Sequence, residues 1–286
     1  MTTKKILRLL PAPSEKIGLQ GLYLGHQLHQ LGATQKPFVY ANFLSSIDGR
    51  IALTDPQTGL SATPENLTSS EDFRLFQELQ AQADCLITHG GYLRSLAKGR
   101  LGNILQVGLR ADAMDLSVWR ELNGMAAQPD LVIASASLDF PMPESLVQYR
   151  QQVLIATGSQ ADPQRVHNWQ QQGYQVVIAG DKMVDGGLLV ELLSQRSYKS
   201  LYLIAGPQML ATMIRNRKLQ RLYLTTNHQL LGSEHFHTLI PGPVLQDGEQ
   251  FRLVEHYYDT QSSNGHGQFY SCYELPLQTP ESMIPA

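Results

Sequence analysis

Short apolar runs recur along the chain, ending in Gly, Ser or Thr, and alternate with stretches of helical spacing. Phe38–Leu44, Cys85–Thr88, Leu131–Ala134, Val153–Ala156, Val176–Ala179 and Leu201–Ala205 have the length of strands. They are apolar nearly throughout, which is the pattern of strands covered on both faces rather than on one. Helix signals lie between them. Ser69 offers an N-cap with Asp72 three residues on, and Phe73, Phe76, Leu79 and Ala83 share one helical face ending near Asp84. Asp162-Pro163 opens a second helix that Gly173 closes, and Asp185-Gly186-Gly187 opens a third with leucines at 188, 189, 192 and 193. A fourth is predicted over about 208–217.

The order then changes. Arg221–Thr226 is a strand, and Phe251–Tyr258 and Gln268–Leu275 form an antiparallel pair around the Asn264-Gly265 loop. The expected fold is therefore α/β: a mixed, mostly parallel sheet with helices on both faces and an antiparallel C-terminal hairpin. Residues 1–36 carry Pro11, Pro13, Gly18, Gly21, Gly25 and Gly32 among scattered leucines and are expected to form an N-terminal arm on a domain of residues 37–286. Thr54–Thr68, with Pro56, Gly59 and Pro64, is expected to be a binding loop or lid.

Composition narrows the partners. The chain has 286 residues, 42% hydrophobic and 16% charged, with a net charge of −3. That balance gives no reason to expect nucleic acid or an anionic membrane, and favours a small-molecule ligand. Cys85 and Cys272 are too few for a disulfide framework, Met1–Leu10 lacks a signal-peptide core, and no apolar run approaches the roughly 20 residues of a membrane span. The expected location is the cytoplasm.

Candidate chemistry gathers at the strand ends. Gly206-Pro207 joins a strand directly to a helix, whose first-turn N–H groups can hold a phosphate without a lysine. Gly90-Gly91 can form a nest of backbone amides, and Thr157-Gly158 ends another strand. None of the nine histidines has metal-ligand spacing, so surface positions and no metal are expected. Gly-x-Ser-x-Gly, a phosphate loop and Gly-x-Gly-x-x-Gly are all absent from the sequence, which disfavours hydrolase, triphosphatase and standard Rossmann chemistry.

Ala41–Ala52, reading Ala-Asn-Phe-Leu-Ser-Ser-Ile-Asp-Gly-Arg-Ile-Ala, resembles the signature that opens the pyrimidine reductase domain of riboflavin biosynthesis. Ser69–Thr88, Gly90-Gly91, Ala205-Gly206-Pro207 and Leu230-Leu231-Gly232 resemble later segments of that family, in the same order. The resemblance implies a dihydrofolate-reductase-like fold, NADPH as cofactor, a phosphoribosylaminopyrimidine as substrate and a homodimer. It places Asp48 near the substrate as the candidate catalytic group, with Asn42, Ser61, Arg74 and Ile204 at the substrate and Arg74 near its phosphate. The cofactor falls to Thr88, Gly90, Gly91, Ser135, Thr157 and the segment Gly206, Pro207, Gln208, Met209 and Leu210. Three positions depart from the family pattern: Asn42 where many bacterial members have lysine, Leu96-Ala97 in place of an Asp-Asp-Pro, and Ile204 in place of a glutamate. Two other functions stay open: reduction of a pterin-like substrate such as dihydrofolate, and a non-catalytic NADPH-binding homodimer.

Overall fold

Strands stand where the sequence suggests an arm. In the computed structural model, which describes residues 4–245, 248–262 and 265–275, β1 (Lys5–Leu10) pairs antiparallel with β2 (Glu15–Gly18). The other edge of β1 pairs with a strand near the C-terminus, Leu7 opposite Tyr258 and Arg8 opposite Tyr257. Ile6, Leu19, Tyr23 and Leu28 are buried in the main core, so this segment is part of the sheet and corrects the expectation of an arm laid over it. The short α1 (Leu28–Leu31) follows.

From residue 38 the expected alternation appears. β3 (Phe38–Ser46) runs through a turn into β4 (Arg50–Thr54) and β5 (Ser61–Ala62), and α2 (Ser70–Ala81) leads to β6 (Cys85–His89). α3 (Gly90–Ala97) starts at once, so the two glycines are a helix's first residues rather than a separate nest. α4 (Met114–Leu122), β7 (Asp130–Ala134), α5 (Glu144–Gln148), β8 (Val153–Thr157), α6 (Pro163–Gln171), β9 (Gln175–Ile178) and α7 (Gly186–Ser194) continue the series. It closes with β10 (Ser200–Leu203), α8 (Pro207–Arg215), β11 (Arg221–Asn227), β12 (Phe236–Thr238), β13 (Arg252–Asp259) and β14 (Gln268–Glu274). The Asn264 half of the expected hairpin loop lies outside the described residues.

One 11-stranded sheet has the order β2-β1-β13-β14-β11-β3-β10-β6-β7-β8-β9. β11 to β9 in that order are parallel, and β14, β13, β1 and β2 add antiparallel neighbours at one end. β4, β5 and β12 make a separate small sheet that the sequence does not announce. Alternation along the strands sorts the core into two layers. Leu86, Ile133, Ile155 and Tyr202 face α2, α3 and α6 through Leu75, Leu79, Leu93 and Trp169. Ile87, Val132, Ala156 and Leu203 face α7 and α8 through Leu189, Leu193, Leu210 and Met213. No helix among the described residues is long and apolar enough to cross a membrane.

Candidate active site

Adjacent strands β10 and β6 send their helices to opposite faces of the sheet, α8 to one layer of the core and α3 to the other. Such a divergence leaves a crevice beyond the strands' carboxyl ends. Here it is a cleft of about 520 Å³. His89, Gly90, Gly91 and Arg94 line it from the end of β6, Ser135–Ser137 from the end of β7, and Ala205–Met209 from the end of β10. Met183, Val184 and His237 of β12 complete the wall.

Two helix starts meet in this cleft. Neither α3, with His89 at its N-cap, nor α8, with Gly206 there, has a side chain capping its first turn. By contrast α2, α6 and α7 are closed by Ser69, Asp162 and Asp185 accepting from Asp72, Gln164 and Leu188 N–H groups. Orphan N–H groups at a helix start carry partial positive charge and suit an anion. The cleft also has a fixed cation, Arg94, which donates to the Asp139 carbonyl oxygen at 2.7 Å. Gly206 leaves open space: a Cβ built there meets nothing nearer than His89 Nε2 at 3.9 Å. These features fit a phosphate-bearing dinucleotide.

The structure brings Gly90, Gly91, Ser135, Gly206, Pro207, Gln208 and Met209 together on that cleft. Other expected residues lie elsewhere. Thr88 and Thr157 are fully buried on the face shared with Leu86 and Ile155, because alternation turns them away from the strand ends that line the cleft. Leu210 is wholly in the core between α8 and the sheet. Ile204 packs against the first core layer and its N–H donates to Ile87. Asn42 accepts from the Tyr202 hydroxyl on that same layer. Ser61 reaches the cleft through His237, whose Nε2 lies 2.9 Å from Ser61 Oγ and 3.3 Å from Thr54 Oγ1.

Arg74 is not available to a phosphate. Its Nε donates to Glu78 at 2.9 Å and its two terminal nitrogens donate to Asp115 at 2.8 and 2.6 Å, so two carboxylates already fill the guanidinium fork. Glu78, fully buried, also accepts from the N–H groups of Gly21 and Tyr23 and thereby fastens the N-terminal segment to α2. Asp48 is likewise a clasp. Its carboxylate accepts from Ser46 Oγ, from Arg50 at 2.6 Å and from the N–H groups of Leu231 and Gly232, tying the turn after β3 to a loop far along the chain. The Ser46 hydroxyl and the backbone donors pull its pKa down to about 2, which unfits it as a proton donor. Its contribution to stability is complete above the ordinary carboxylate pKa and is lost as pH falls towards 2. An NMR titration of the Asp48 carboxyl should give a midpoint near 2; a midpoint near 4, the ordinary value, would show the clasp open in solution.

The sequence alone does not single out Asp72, His89, Arg94 or His237 as functional groups. Asp72 sits in the first turn of α2, hydrogen-bonded to Thr225 on β11, and burial pushes its pKa up to about 6. His89 is kept below the usual imidazole pKa by burial and by Arg94.

A family model for the RibD C-terminal domain matches residues 37–262. The chain belongs to that family. It is 23% identical over 227 residues to a 2,5-diamino-6-ribosylamino-4(3H)-pyrimidinone 5′-phosphate reductase of Aquifex aeolicus, spanning 78% of this chain and 92% of the relative. An enzyme of the same name from Archaeoglobus fulgidus is 19% identical over 218 residues, 76% of this chain and 89% of the relative. Among solved structures, a pyrimidine reductase-like protein of Corynebacterium diphtheriae superposes with a TM-score of 0.62 at 20% identity, over 85% of this chain and 94% of that one. The α/β fold read from the sequence is thus that of the RibD C-terminal domain family, and its named relatives are oxidoreductases.

Proposed function

We propose that this protein is a riboflavin-biosynthesis reductase that uses NADPH to reduce a ribosylaminopyrimidine 5′-phosphate. The observation that carries this reading is the pair of uncapped helix starts, at Gly90 and Gly206, that converge on one cleft at the β10/β6 divergence. The relatives' activity supports the substrate class. The first turns of α3 and α8 would hold the diphosphate, and Ser135, Ser137 and Arg94 would hold the adenosine end. Arg94 favours NADPH over NADH, since a fixed cation has more to gain from the extra phosphate.

When bound, the nicotinamide supplies hydride to the ribosylamino carbon. The protein's own part is alignment and a proton. The proton falls to Asp72 rather than Asp48: in the first turn of α2 and bonded to Thr225, its carboxyl is pushed by burial to about 6 and so holds a proton closer to neutrality. Asn42 and Ile204 would form the substrate side with Tyr202, whose hydroxyl donates to Asn42 and whose phenol is pushed up by burial first, then by Tyr40 and Asp72. Ser61 contributes through His237. A homodimer in the cytoplasm is part of the proposal.

The test is oxidation of NADPH, followed by its absorbance, with the diaminopyrimidinone and aminouracil forms of the substrate and with dihydrofolate. Turnover of a ribosylaminopyrimidine, faster with NADPH than with NADH, is expected, and turnover of dihydrofolate alone would replace the substrate reading. With Asp72 as donor, kcat/KM should fall as pH rises through about 6, and Asp72→Asn should lower it on the order of 100-fold. A flat profile between pH 5 and 8 with a near-normal variant would remove Asp72 from the mechanism.

A further inference from the structure

His89 occupies an unusual place for an imidazole. It is the last residue of β6 and the N-cap of α3, in extended backbone, and its ring lies against the starts of both cleft-facing helices. His89 Nδ1 is 2.9 Å from the point where a side chain on Gly91 would begin, and Nε2 is 3.9 Å from the same point on Gly206. A Cβ at Gly91 would therefore collide with the ring, and Gly206 faces it across open space. The ring lines the cleft but makes no hydrogen bond to any described residue.

We propose that His89 is a proton-linked anchor for a diphosphate in this cleft, taking up a proton as the ligand binds and donating from its ring to a phosphate oxygen. The inference rests on the dinucleotide reading given above and adds the residue and the proton to it. The charges around the ring explain why the proton arrives with the ligand. On its own helix the neighbour is Arg94, which repels an imidazolium. The first turn of α8, Pro207–Met209, brings no charged side chain, and neither do Ser135–Ser137 after β7 or Met183 and Val184. β12 contributes His237, a second titratable ring and no anion.

No carboxylate among the described residues lines the cleft, so burial and Arg94 keep His89 below the usual imidazole pKa in the free protein. A diphosphate changes both conditions, because it supplies negative charge and acceptor oxygens in one step. The sign follows. Below the lowered pKa of the free ring, binding takes up no proton and affinity is flat. Between that value and the raised pKa of the complex, Kd increases by up to about tenfold for each unit of rising pH.

The experiment is calorimetric titration of the full chain with NADPH and, separately, with NADH, which lacks the titrating 2′-phosphate. It is done at pH 7 in buffers of different protonation enthalpy and repeated from pH 6 to 8. Wild type should take up a substantial fraction of one proton per site with either cofactor. His89→Gln, close to histidine in size, should take up that much less, bind roughly tenfold more weakly at pH 6 and lose the pH slope, with an unchanged melting temperature in the absence of ligand. His237→Gln should keep the uptake. Equal uptake by wild type and His89→Gln would overturn the proposal, as would uptake lost in His237→Gln, or tighter binding by His89→Gly, which would make the ring an obstruction. If wild type binds neither cofactor, the dinucleotide reading fails and the anchor with it; binding without proton linkage fails the anchor alone.

Discussion

Gly206→Val is expected to abolish cofactor binding while leaving the free protein folded. Gly206 has φ −72° and ψ −179°, extended backbone that any L-residue adopts, so the substitution carries no intrinsic strain. Among the described residues, chain neighbours aside, an added Cβ meets only His89 Nε2 within 4 Å, at ordinary van der Waals distance. Valine's two methyl groups would nevertheless stand over the first turn of α8, where a diphosphate must come close to the backbone N–H groups. Losing that approach should weaken binding at least about 100-fold, close to 3 kcal/mol. Wild type in the presence of cofactor at 100 times its Kd gains about 2.7 kcal/mol, which for a protein of this size is a rise of roughly 4–5 °C in melting temperature. The variant should show the same melting temperature as wild type without cofactor and almost no rise with it. A full rise in the variant would mean that the diphosphate does not pass over Gly206.

Arg120→Ala should be the most destabilising of the substitutions considered. The side chain is 1% exposed, one of the largest wholly buried groups in the molecule. Its Nε donates to Ala126 O, and one terminal nitrogen donates to both Ala81 O and Ala83 O, all at 2.8 Å. One guanidinium thus joins the end of α2, the approach to β6 and the segment after α4. No carboxylate lies within salt-bridge distance among the described residues, and burial lowers its pKa to about 10, which still leaves it charged at neutral pH. Alanine would orphan three carbonyl groups at about 1–3 kcal/mol each, with some relief from entering water, for a loss of roughly 3–5 kcal/mol. Against a total stability of about 5–15 kcal/mol, that is a large fraction. Urea unfolding should show the midpoint fall accordingly. Arg120→Lys should recover little, because an ammonium on a flexible stem cannot serve the three carbonyls from one plane. A loss below 1 kcal/mol for Arg120→Ala would show that water replaces the guanidinium freely.

The local layer of this fold was legible in the chain. Apolar runs without alternation became the covered parallel strands β6, β7, β8 and β10, and Ser69, Asp162 and Asp185 cap the helices they precede. Both kinds of signal act within a few residues, so a single sequence contains them in full. Even there, direction mattered: Thr88 and Thr157 sit at strand ends as expected, yet pleating points them into the core. Lys5–Leu10 is too short and too mixed to declare itself a strand, and becomes one because β13 leaves an edge for it to pair with.

What the sequence determined by itself was the α/β class, the strand-to-helix junction at Gly206, the strand end at Gly90, and the family signature from Ala41 to Ala52. Tertiary structure decided which junctions share a cleft and which polar groups are already spoken for. Asp48 is spent on Leu231 and Gly232, 183 and 184 residues away, and Arg74 on Asp115, 41 residues away. Neither partner can be inferred from spacing, because a charged side chain's availability depends on what the folded chain brings within about 3 Å of it. His89 shows the converse: one histidine among nine, it stands at the cleft only because β10 lies beside β6 and their helices part to opposite faces.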